Sequence, residues 1–211
     1  MRRPVVRLMK QTALVLASAA ALGACAAEQQ PDAAPEKVAA VRYRHPGPAS
    51  LTLYTVVNNN SGQGGHSALM VNGPERVIFD PAGSFHADIV PEVDDVLFGI
   101  TPRVEQAYRS AHARSAYHVV SQTIEITPEQ AETAYRLMRA NGQVPGAFCA
   151  NATSGILRQV PGFEHLSSTF YPVTLSEQFA QVPGVVTSKY YENDDGDITE
   201  GVARSNADLN G

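Results

Sequence analysis

Between residues 50 and 165 the chain alternates short apolar runs with polar breaks. SLTLYTVV (50–57) is such a run, rich in β-branched residues, and reads as a strand. NNNSGQGG (58–65) holds nothing apolar and reads as a loop. HSALMVN (66–72) and ERVIFD (75–80) flank Gly73-Pro74, the pattern of a hairpin, which Pro81-Ala82-Gly83 ends. YHVVSQTIEI (117–126) predicts one more strand. Thr101-Pro102 opens a helix through Ala111, with proline at its favoured first position. Thr127-Pro128-Glu129-Gln130 opens another. Thr127 caps it, Gln130 completes a capping box, and Ala131, Ala134, Tyr135 and Met138 follow at i, i+3, i+4, i+7 spacing until Asn141-Gly142. A third helix starts near Cys149 and ends at Pro161-Gly162, with Cys149, Thr153, Ile156 and Val160 on one face. The order predicts an α+β fold, an antiparallel β-sheet with packed helices. Beyond Phe163 the pattern weakens. YYENDDGDITEG (190–201) is acidic and lacks the closing Glu of a calcium loop, so residues 190–211 read as a solvated acidic tail.

The amino terminus reads as an address. Residues 1–10 are basic, and TALVLASAAAL (12–22) is apolar but too short to span a bilayer. Leu22-Gly23-Ala24-Cys25 resembles the bacterial lipoprotein box. The resemblance implies a signal peptide over 1–24, lipidation of Cys25, and membrane attachment through acyl chains of the palmitate type. Ala26, not Asp, follows the cysteine, which implies an outer-membrane lipoprotein facing the periplasm. Residues 25–48, rich in Ala, Pro and Gln, read as the lipidated Cys and its tether, and His45 as a solvated linker residue. The folded domain is expected over 49–189.

Charge removes one class of partner. The 211 residues carry a net −5, and setting aside Arg2, Arg3, Arg7 and Lys10 leaves 12 bases against 21 acids, or −9. So acidic a body does not suit a phosphate backbone, and no nucleic-acid partner is expected.

With Cys25 lipidated, Cys149 has no partner for a disulfide. An unpaired thiol under oxidising conditions is either buried and inert or used. Cys149 sits where a helix should start, after Val144-Pro145-Gly146, and unpaired N–H groups there stabilise an anion. A nucleophilic cysteine needs a base, and His66, at the mouth of the hairpin, is the best placed imidazole. A turn at 73–74 sets His66 opposite Asp80 on one face, so Asp80 would orient the ring, with His86 as the alternative orienter. His112 and His165 read as surface residues, and His118 as a core histidine. No metal-ligand spacing is present, so no metal or cofactor is expected.

His66 on a strand precedes Cys149 on a helix. Gly65-His66-Ser67-Ala68-Leu69, the Asp80 strand, TPEQAETAYRLM and Phe148-Cys149-Ala150-Asn151-Ala152-Thr153 together resemble the circularly permuted papain-like (NlpC-type) superfamily over roughly residues 50–165. Many relatives have Asn where Phe148 stands here. The resemblance implies a cysteine hydrolase or acyltransferase acting on an amide or ester through Cys149, His66 and Asp80. Peptidoglycan stem peptides, or acyl groups of lipid or protein, are the implied substrates. The competing expectation is a non-catalytic envelope-binding lipoprotein with Cys149 buried as a structural residue.

Overall fold

The computed structural model describes residues 31–83 and 85–211. Cys25, the signal segment and residues 26–30 of the tether lie outside the described residues. Helix α1 (Pro35–Ala40) comes first, followed by β1 (Ser50–Asn58), β2 (Gly64–Asn72), β3 (Arg76–Phe79), β4 (Glu92–Val93) and β5 (Val96–Leu97). The chain continues through α2 (Pro102–His112), β6 (Tyr117–Glu125), α3 (Pro128–Ala140), α4 (Cys149–Leu157), α5 (Pro172–Ala180), β7 (Val186–Tyr191) and α6 (Ile198–Asn210). The fold is α+β. Its seven strands form one antiparallel sheet in the order β4-β5-β3-β2-β1-β6-β7. No described helix is long and apolar enough to cross a membrane.

Strand parity assigns each apolar residue to a layer. Leu51, Leu53, Leu69, Val71, Val77 and Phe79 join Ala131, Ala134 and Met138 of α3, Ile156 and Leu157 of α4, and Leu175 and Phe179 of α5 in one core. Tyr54, Val56, Ala68, Met70 and Ile78, one residue out of phase, join Val104, Tyr108 and Ala111 of α2 and Val202 and Leu209 of α6 in a second. The central strands are therefore covered on both faces, and their runs read as continuously apolar.

The local starts behave as their chemistry dictates. Thr127 and Gln130 form both bonds of the capping box, at 2.7 and 3.2 Å. Thr101 caps α2 by accepting the Val104 N–H. Cys149, Thr153, Ile156 and Val160 are all buried, as their shared face requires.

Three expectations are corrected. The hairpin loop takes in Glu75 as well as Gly73-Pro74, and the pairing runs Leu69↔Phe79 and Met70↔Ile78, a register that sets Asp80 against Ala68 rather than His66. The register moves by two residues, so every side chain keeps its face. The described part of the tether is packed: Val38 and Val41 lie against the first core, Tyr43 C=O accepts the Arg76 N–H, and half-buried His45 is held by Asn72 and Tyr43. Residues 190–211 are not a solvated tail. Asp197 and Glu200 form a capping box that starts α6, and Gly201, Val202, Ser205 and Leu209 are buried against α2. The acids ahead of it act as counter-charges, since Glu192 and Asp194 each pair with buried Arg114 at 3.1 Å. The folded unit is therefore wider than 49–189 at both ends.

The α2–α6 contact depends on a glycine. A Cβ on Gly201 would stand 2.5 Å from Ala111 O and 2.3 Å from the Arg114 guanidinium. Gly201→Val is expected to lower the unfolding free energy by about 1–3 kcal/mol through overpacking. An unchanged urea midpoint in that variant would show that α2 and α6 do not pack this closely.

Candidate functional site

His66 owes its position to a bulge. Val56 pairs with His66 and Val57 with Gly64, so Gly65 is an extra residue that bends the start of β2. Gly64 also admits α5, since a Cβ there would lie 2.6 Å from Pro172. His66 Nε2 bonds to Asp80 Oδ1 at 2.7 Å. Asp80 is the first residue past β3, and the observed register sets it diagonal to His66 rather than opposite, within reach on the same face.

Three further residues hold Asp80. Tyr108 donates to the same Oδ1 at 2.6 Å. Asp95 C=O accepts the Asp80 N–H at 2.8 Å, while its carboxylate accepts the N–H of Ala82 at 3.2 Å and of Val144 at 2.8 Å. Asp95 thus ties the Asp80 turn to the segment leading into Cys149. Gly83 N–H closes the turn on Asp80 C=O at 2.9 Å, with Ala82 at φ +54°. A Cβ on Gly83 would fall 1.8 Å from Asp80 Oδ2, so glycine leaves the carboxylate its room. His112 lies beside them. It is buried rather than exposed, and its ring stacks on His66 at 5.7 Å and 7°.

Cys149 arrives from the other layer. It is the first residue of α4, and Phe148 before it provides no side-chain cap, so the first-turn N–H groups remain for an anion. The β2–β3 ladder stops at Leu69–Phe79, which leaves β2 unpaired on that side at Ser67. The sulfur takes that vacant position beside the His66 ring, with the N–H of Ser67 and of Ala150 directed at it. Cys149 is 8% exposed.

The charges reinforce one another. Burial alone would lower the His66 pKa. The Asp80 carboxylate, by charge and hydrogen bond, and the Cys149 sulfur reverse this and raise it to about 10. Burial alone would raise the Cys149 thiol, but His66, by hydrogen bond and charge, and then the two N–H groups bring it below its ordinary value. Burial likewise opposes ionisation of Asp80, and His66, His112 and Tyr108 outweigh it, so its carboxyl lies below the usual range. Each charge in the Asp80–His66–Cys149 row thus favours the ionised form of its neighbour.

The structure brings Cys149, His66 and Asp80 together. His86 is exposed, and Asp80, not His86, holds the ring. His165 is exposed and His118 buried, as expected. Three ligating atoms, from His66, Asp80 and His112, lie within 4.8 Å of one another, although no short-range spacing announced them. For His112 one signal existed: it lies four residues after Tyr108 on α2, the same face. The chain matches no family model, no curated protein and no solved structure.

Proposed function

We propose that this chain is an envelope lipoprotein with a permuted papain-like domain, a cysteine hydrolase or acyltransferase acting on an amide or ester. The observation that carries the reading is the Cys149–His66–Asp80 chain at the head of α4. The His-before-Cys order along the sequence supports the permuted assignment. The lipoprotein box at Cys25 supports attachment to the outer membrane on its periplasmic side.

Each residue then has a task. The Cys149 thiolate attacks the carbonyl carbon, forming a C–S bond while the carbonyl oxygen takes up the electron pair. First-turn N–H groups of α4 receive that oxyanion. His66, held through Nε2 by Asp80, gives a proton from its other nitrogen to the leaving amine or alcohol. In the thioester that results, neutral His66 takes a proton from water or an acceptor alcohol. That oxygen attacks, and the thiolate leaves. Between an apolar acyl group and a peptidoglycan stem peptide, the rim favours the acyl group. Residues 140–157 and 166–176 carry no formal charge to answer a stem peptide's carboxylates. Exposed Phe148, next to Cys149 in the chain, meets exposed Phe170 edge to face at 5.4 Å.

Alkylation tests the reading. Iodoacetamide should label native Cys149, assigned by peptide mapping, with a pH midpoint below the ~8.5 of a free thiol. Labelling that requires denaturant would overturn it and leave the non-catalytic envelope-binding lipoprotein with a structural cysteine.

A further inference from the structure

The catalytic chain leaves His112 without a task. Its Nδ1 donates to Tyr108 C=O at 2.8 Å, which leaves the lone pair on Nε2. The ring is 7% exposed and lies parallel to His66. Neutral imidazole is the form that binds metal, and a backbone carbonyl on the other nitrogen is the usual outer partner of a metal-binding histidine.

We propose that His66, Asp80 and His112 form a site for a divalent transition cation of the zinc class, and that its occupancy silences the neighbouring thiol. Two imidazole nitrogens and a carboxylate oxygen make a donor set suited to zinc. The three atoms lie within 4.8 Å of one another. Tetrahedral coordination at ~2.0–2.2 Å sets its donors about 3.4 Å apart, so shifts on the order of 1 Å close the site. The His66 side chain is 14% exposed, which gives an ion a path in.

On binding, the cation replaces the proton that His66 Nε2 shares with Asp80, and that proton passes to solvent. The thiolate beside His66 then joins as a fourth ligand and stops acting as a free nucleophile. Silencing the thiol rests on the acyl-transfer reading above. The metal site itself does not.

The test uses the full chain. Co²⁺ is followed by its visible d–d absorption and Zn²⁺ by calorimetry, with iodoacetamide labelling of Cys149 recorded before metal, with Zn²⁺, and after chelator. His112→Asn keeps the donor to Tyr108 C=O and removes only Nε2. One cation per chain is expected, with labelling slowed at least tenfold by Zn²⁺ and restored by chelator. Losing an outer partner alone costs about 10–100-fold in affinity, so His112→Asn should weaken binding by at least that much. No binding by the parent chain, or equal binding by a folded His112→Asn variant, would overturn the proposal. Slow labelling of the metal-free parent would instead count against the acyl-transfer reading, and the cobalt spectrum would still judge the site.

Discussion

His66→Ala cuts turnover of an activated ester such as p-nitrophenyl acetate by roughly 10²–10⁴-fold, the range that a positioned acid–base group contributes. Two effects combine in it. The leaving group loses its proton donor, and the thiol loses the charge that favours its ionised form. The alkylation midpoint of Cys149 should rise in the same variant, which separates the second effect from the first. A variant that keeps both turnover and midpoint would remove His66 from the reaction. Stability should respond as well, with a definite sign. The folded pKa of His66 is about 10 against an ordinary 6.5, so its contribution is complete below pH 6.5 and is lost as pH rises through 10. Asp80, with a depressed folded pKa, contributes above the ordinary carboxyl value and loses that contribution as pH falls through its folded value. The parent chain should therefore lose unfolding free energy between about pH 6.5 and 10, and His66→Ala should lose less.

Asp95→Ala has the largest expected effect on stability. One carboxylate oxygen accepts two N–H groups from separate segments, Ala82 and Val144, at a position 4% exposed. Each buried donor left unpaired costs about 1–3 kcal/mol, so the variant should lose about 2–6 kcal/mol in urea unfolding. The site should loosen with it, because the same residue links the Asp80 turn to the approach of Cys149. Asp95→Asn is the control. Its amide oxygen accepts the same two bonds, and Asn tolerates the φ of +62° found here. Equal losses in the two variants would show that charge, not the shared acceptor, is what Asp95 supplies.

The central sheet was legible because its signals are local. β1, β2, β6 and the starts of α2 and α3 are announced by unbroken apolar runs, Thr caps and prolines within a few residues. His66 and Asp80 survived a wrong register, since an error of two residues preserves the face. Residues 190–211 were misjudged for a different reason. Asp197-x-x-Glu200 is a capping signature followed by apolar Val202 and Leu209, but the acidic composition around it suggested solvent. Those acids answer Arg114, a buried charge more than 75 residues away, and only the tertiary fold reveals that pairing. β4 and β5, two residues each, are too short to carry a period. His112 was assigned to solvent because nothing in its own helix shows that a second imidazole will cover it. Asp95 was missed because both its partners lie far along the chain.

The early end of the β2–β3 ladder decides when the sulfur acquires its surroundings. The position it takes exists only after β1, β2 and β3 have paired and α4 has docked, contacts that span more than 80 residues of sequence. Before that, Cys149 is an ordinary thiol with neither imidazole nor directed amides beside it. That setting is thus supplied by topology: an unfolded chain carries a bare thiol, and the imidazole and the amides reach it only through long-range pairing.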